Sequence, residues 1–323
     1  GIIAIVAGAP EVGAGLITQS QQLSAATFFT YTRAEEGNAD QQAVKYLTEL
    51  GESSIGLVEF FEKFRGQEVL SARYYPDFLR SHPSPPDRIQ VLRQLVADTG
   101  LADAPSDPEE MHQLQIMHAK LRGFLDPRAV WTKYPPDDQS EYAVLARSIA
   151  AFRNSDFTPA LRGMDQLIEL EPDNPYYHEL KGQILFEKGD VDASVAPNAR
   201  AAELKPNKPL ILLSYARSLL ARDDEGDVTL AEDALLEARK YESKNALVYQ
   251  QLAIVYEKQG LRARAQLATA EEHFYYGDYL GAQRFSQFAL QGLEPNTPAW
   301  RRAREIAAVT DPRLPENRRR YRR

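Results

Sequence analysis

Two proline-bearing turns, Leu170-Glu171-Pro172-Asp173-Asn174-Pro175 and Leu204-Lys205-Pro206-Asn207-Lys208-Pro209, set Pro172 and Pro206 34 residues apart. Self-similarity at that period restricts the architecture severely, because one unit of this length cannot bury its apolar face alone and must stack on its neighbours. Within the frame, small residues recur where two antiparallel helices must approach closely. They are Ala160 in the first unit, Gly182 and Ser194 in the second, Ala216 and Ala231 in the third, and Ala253 and Ala265 in the fourth. The acidic loop Asp223-Asp224-Glu225-Gly226-Asp227 delays the third unit slightly. Further helices are expected through Gly277-Asp278-Tyr279 and Ala282 to a last turn of the same kind at Leu293–Pro298.

The period is that of the tetratricopeptide repeat, so residues 141–309 are predicted to form a curved solenoid of helix pairs with a concave surface. Helical periodicity also dominates the front of the chain, and strand signals are weak everywhere. The apolar set Ala39, Ala43, Tyr46, Leu47 and Leu50 predicts a helix ended by Gly51. Ser53 and Ser54 then cap a second helix carrying Leu57, Phe60, Phe61 and Phe64. Pro86 opens a third through Val96, and Asp107-Pro108-Glu109-Glu110 starts a fourth whose Met111, Leu114, Met117, Leu121 and Phe124 are assigned to a core. The fold class is therefore all-α: a helical domain over 1–126, a proline-rich linker over 127–140, repeats over 141–309 and a basic tail over 310–323.

The chain has no cysteine, so any metal must be held by His, Asp or Glu. Its net charge of −8 disfavours nucleic acid as a partner. The basic run Arg318-Arg319-Arg320-Tyr321-Arg322-Arg323 reads as a solvated tail, or as a peripheral contact to anionic lipid. Residues 1–16 are apolar but interrupted by Glu11 and glycines, which suits a buried helix met part-way along better than a membrane span or signal peptide. The chain is expected to be truncated at its front.

Chemistry concentrates in Tyr31-Thr32-Arg33-Ala34-Glu35-Glu36-Gly37-Asn38-Ala39-Asp40. On a helix Glu36 and Asp40 share a face. Two carboxylates there suit a metal, with one binding it and the other orienting a histidine ligand. They equally suit an exposed acidic helix end that favours the helix dipole.

The segments YTRAEEGNADQQAVKYLTELG, LVEFFEKFRG and FLRSHPSPPDRI occur in an order that resembles the zinc metallopeptidases related to the CAAX prenyl protease, in particular their bacterial periplasmic members with tetratricopeptide tails. The resemblance implies that Glu36 is the third zinc ligand and Asp40 the residue behind it that orients a histidine. It also implies that His82, in His82-Pro83, gates the zinc's open position, and that Arg88 anchors the loop or supports an oxyanion. The bland alternatives are a turn-capping His82 and an Arg88 paired with Asp87 or Glu62. No His-Glu-x-x-His sequence occurs, and the five histidines His82, His112, His118, His178 and His273 do not supply one. This polypeptide alone is therefore expected to be inactive. No role is assigned to the last four.

By resemblance the complete protein is a zinc endopeptidase of envelope protein quality control, located in the periplasm, whose repeats recruit protein substrates or assembly partners. The competing reading is a non-enzymatic adaptor or chaperone. Tyr177, Lys181, Tyr215 and Tyr249, on the first helices of their pairs, are the candidate partner-binding residues, with packing between repeats as the alternative.

Overall fold

The computed structural model describes residues 34–64 and 85–314, and every regular element among them is a helix. In chain order these are α1 (34–49), α2 (Ile55–Phe64), α3 (Pro85–Thr99), α4 (Pro108–Leu125), α5 (Val130–Lys133), α6 (Glu141–Arg153), α7 (Phe157–Leu170) and α8 (Pro175–Lys188). There follow α9 (Val191–Leu204), α10 (Pro209–Arg222), α11 (Asp227–Tyr241), α12 (Ala246–Lys258), α13 (Arg262–Tyr276), α14 (Tyr279–Gly292) and α15 (Pro298–Val309). The chain divides into two units, Gly1–Gln113 and Leu114–Arg323.

In the front unit, Gly51 takes the left-handed conformation at φ 77°, and its N–H donates to the Thr48 carbonyl at 3.0 Å, closing α1 as the glycine signal predicts. Pro85 and Pro86 open α3, where no N–H is missed. Val44, Val58, Ile89, Leu92 and Val96 form the small core, with Leu57 and Phe61 packed against it. The inward face of α1 is therefore the Asp40 and Val44 stripe. Tyr46 and Leu50, expected inside, are exposed, as is Ala39. Each residue turns a helix by about 100°, so neighbours of Asp40 and Val44 in sequence point well away from that stripe.

Helix α4 starts where Asp107 predicts, its Oδ1 accepting from the Glu109 and Glu110 N–H groups at 2.7 and 3.2 Å. Its interior face needs correction, since Met111, Leu114, Met117, Leu121 and Phe124 are exposed while Ala119 and Gly123 are buried. A Cβ on residue 123 would lie 2.7 Å from Ile149, so contact with α6 uses the smallest side chains rather than the largest. The expected linker is also more than a connection. Val130 on α5 and Tyr134 are buried in the core formed with α6, and Arg147 donates to the Pro135 carbonyl at 2.7 Å.

The repeat unit carries the helix pairs α6/α7, α8/α9, α10/α11 and α12/α13. Turns of two or three residues join helices within three of the pairs, the acidic loop 223–226 joins α10 to α11, and four-residue turns bearing Pro or Asn join the pairs. Asn174 and Asn245 accept from N–H groups of the first turn of α8 and α12, and Pro175 and Pro209 occupy initial helical positions. Of the small residues at the close approaches, Ala160, Ser194, Ala216, Ala231 and Ala265 are buried as expected, whereas Ala253 is only partly buried. At Gly182 a Cβ would lie 2.4 Å from Cγ of Asn198, which is buried in α9 with its amide donating to Ser218 Oγ at 2.8 Å.

The acidic loop is organised by its last residue. Asp227 is 1% exposed and accepts from Arg222 Nε and Nη2 at 2.8 and 2.6 Å, and from the Asp224 N–H at 3.0 Å. The Arg222 hydrogen bonds hold its carboxyl below the usual range, against the opposing effect of desolvation.

Two outcomes follow from this packing. Gly182→Ala should destabilise the protein by about 1–3 kcal/mol in urea unfolding, because the added methyl displaces the buried Asn198 side chain from its hydrogen bond to Ser218. Asp227→Asn should cost about 1–3 kcal/mol at pH 7, less than a fully buried pair because Arg222 is partly exposed. The Asp227 contribution is complete above the ordinary carboxyl value of about 4 and fades as pH falls through the depressed folded value. Melting curves of parent and variant should therefore converge in strong acid.

Candidate active-site fragment

Glu36 and Asp40 lie one turn apart on α1, so their side chains project from the same face. Across from them the first turns of α3 deliver Arg88, whose neighbour Ile89 is anchored in the small core. Arg88 Nε donates to Asp40 Oδ2 at 2.9 Å and Nη2 to Asp40 Oδ1 at 2.6 Å, while Nη1 donates to Glu36 Oε2 at 2.7 Å. The fork of the guanidinium thus spends one edge on Asp40 and its remaining nitrogen on Glu36, a geometry that lysine cannot reproduce. Beneath it lies the Phe61 ring, its centroid 4.0 Å from the guanidinium carbon. The aromatic face and two carboxylates hold the cation from separate sides, all four side chains being largely withdrawn from water.

The predicted site residues fare unequally. Glu36, Asp40 and Arg88 come together. Glu62, the alternative partner for Arg88, pairs with Arg93 instead. His82 lies outside the described residues. Phe61 was visible in the sequence only as an apolar helix position, and nothing in its spacing pointed to an arginine.

On the repeats, Tyr177 is only 1% exposed within the core around α6 and α8, its hydroxyl donating to Glu141. Tyr249 is 7% exposed, donates to the Ser243 carbonyl at 2.8 Å and stacks on Tyr275. Burial raises the pKa of both phenols. These two are corrected from gripping residues to packing residues, because Tyr177 is covered by the core formed with α6 and α7 and Tyr249 by Tyr275 of α13. Tyr215 is half-buried against the core of α10, α11 and α12, and Lys181 pairs with Asp165 at 2.6 Å. Among the remaining histidines, His178 Nε2 meets the Pro172 carbonyl at 2.7 Å, and His273 Nδ1 meets Asp278 at 2.7 Å while stacking on Phe285.

Removing Arg88 leaves two facing carboxylates without their shared counter-charge. Arg88→Ala should therefore destabilise the front unit by about 2–4 kcal/mol in denaturant unfolding, with Arg88→Lys intermediate. Equal stability of Arg88→Ala and the parent would show that the fork contributes nothing.

Residues 1–96 match the family model for peptidase family M48. The β-barrel assembly-enhancing proteases of Escherichia coli (strain K12) and Shigella flexneri are each 22% identical over 228 residues, which make up 68% of this chain and 46% of theirs. The chain thus spans about half the length of the curated relatives it matches. Two crystal structures of MamA align with TM-scores of 0.40 and 0.42 at 17% identity, covering 50% and 53% of this chain and 91% of each of theirs. No helix of the described residues is long and apolar enough to cross a membrane. Residues 1–96 are thus similar to peptidase family M48, and helical repeats follow them in the chain.

Proposed function

We propose that the chain is part of a zinc metalloendopeptidase acting in envelope protein quality control in the periplasm, with repeats that recruit protein substrates or assembly partners. The observation that carries this reading is the joining of Glu36, Asp40 and Arg88 inside the M48-matched segment. Carboxylates withdrawn from water and fixed by a charged fork are of little use to a helix end in solvent. They are of use to a cation that must be held in one place.

The donor set tests how far a metal fits. Glu36 suits one position of a zinc centre, and Asp40 suits the role of orienting an imidazole ligand. A catalytic centre takes about three protein ligands, and with no His-Glu-x-x-His sequence these 323 residues do not complete one. When bound, zinc would supply an activated water for peptide-bond cleavage. What this chain's own residues would do is narrower: Glu36 offers a charged oxygen, Asp40 fixes an imidazole tautomer, and Arg88 keeps both carboxylates in register. The fork favours the anchoring role of Arg88 over oxyanion support, since its three donating nitrogens already point at carboxylates. His82 remains the proposed gate, and the arginine-rich run after residue 317 the proposed contact to anionic lipid.

The incomplete donor set is also the observation that favours the second reading, a repeat adaptor without peptidase activity. Metal analysis of the natural gene product separates the two. The endopeptidase reading expects one zinc per chain after dialysis, falling by at least about tenfold in Glu36→Gln, which keeps the ligand's shape and removes its charge. Unchanged occupancy would remove Glu36 from the ligand set, and no zinc in the parent would leave the adaptor.

A further inference from the structure

A cavity of about 980 Å³ opens in the repeat unit between α12, α13 and the connection from α14 to α15. Its position coincides with a change in the repeat pattern. Turns of two or three residues join the helices of α6/α7 and α8/α9 and four-residue connections flank α10 and α11, but α13 has a short turn on both sides, Gln259-Gly260-Leu261 before it and Gly277-Asp278 after it. Both turns use a left-handed glycine, with φ 74° at Gly260 and 82° at Gly277. Helix α13 therefore serves as the second helix of one pair and the first of the next, packing on α12, α14 and α15.

The walls combine apolar and cationic surface. Tyr256, Leu261 and Leu267 supply the accessible apolar part, over the buried Tyr249 and Leu252. The charges do not cancel. Glu271, buried on α13, is already neutralised by Arg302, whose Nε and Nη2 each donate to it at 2.7 Å. Arg239, Arg262 and Arg264 also line the cavity, are exposed, and have no acidic partner among the described residues. Glu294 alone opposes them there. This concentration of positive charge belongs to a chain whose net charge is −8.

We infer that this cavity binds an extended acidic segment of a partner protein, with an apolar side chain entering between Tyr256, Leu261 and Leu267 and carboxylate side chains meeting Arg239, Arg262 and Arg264. Arginines on two different helices suit several carboxylates spaced along a segment better than one terminal carboxylate. The guanidinium fork favours carboxylates through paired hydrogen bonds. The proposal deepens the recruitment role given to the repeats and rests on it, but it requires neither zinc nor peptidase activity.

The test is fluorescence anisotropy of the full chain with a labelled peptide of alternating glutamate and leucine carrying one tyrosine, beside its counterpart with glutamine for glutamate. The glutamate peptide should bind at least about tenfold more tightly at low salt, and the difference should shrink as salt screens the charges. Amidating its C-terminus should change nothing, whereas a large loss would assign the site to a chain terminus and overturn the internal-segment proposal. Arg239→Ala with Arg264→Ala should weaken binding about tenfold while Arg153→Ala, on α6, leaves it unchanged. Arg262→Ala alone should give a smaller loss, which keeps the test decisive should the double variant melt early. Equal binding of the two peptides, or none to either, overturns the acidic partner. Tight binding that ignores all three arginines would leave recruitment standing elsewhere on the repeats and overturn this cavity.

Discussion

Close approach of helix backbones is the constraint on which the repeat unit depends. Two helices come within packing distance only where side chains are minimal, and the chain meets this at Gly123 against Ile149, Gly163 against Ser148, and Gly182 against Asn198. Wherever a small residue sets the approach, the large apolar residues around it lock into the remaining space, as Ile149, Met164 and Leu167 do in the first core. The longer turns then need only return the chain at the right pitch, a task Asn174 and Asn245 perform by capping the following helices.

The front unit is held differently. Its apolar core is small, and a considerable part of its order is electrostatic, with Arg88 tying α3 to α1 through Glu36 and Asp40 while resting on Phe61 from α2. A single cation thus binds all three helices. Such an arrangement fixes carboxylate positions more tightly than apolar packing would, since a forked donor tolerates little misalignment. That rigidity is what a metal ligand requires, and it links the stability of this unit to the chemistry proposed for it.

The legibility of these features in the sequence follows the range of the interactions. The repeat period, the small residues and the helix caps are local signals, and the structure follows them. The pairing of Glu36 with Asp40 on one face was also legible, because four residues fix a helical turn. Their partner was not: Arg88 lies 48 residues from Asp40, and the nearby candidates Asp87 and Glu62 were equally reasonable by spacing. The stripe of Met111, Leu114 and Met117 failed for a related reason. Periodicity identifies a face as apolar, whereas α4 turns Ala119 and Gly123 inward, a choice made by Ile149 on a different helix. Tyr177 and Tyr249 show the same limit, since an aromatic on a first helix is groove or core according to what stacks beside it.

Near-identical helix pairs create a hazard of their own, because α9 would find much the same apolar surface on a neighbour that is not its own. The buried group Ser194, Asn198 and Ser218 removes that ambiguity. On α10 the Ser218 hydroxyl meets the Asn198 amide at 2.8 Å and the Ser194 hydroxyl at 3.0 Å, so stacking on a surface without such a hydroxyl would strand the buried Asn198 amide in an apolar environment. The group therefore acts as an address on the α9 to α10 junction, disfavouring exchange of pairs between neighbouring molecules during synthesis and refolding.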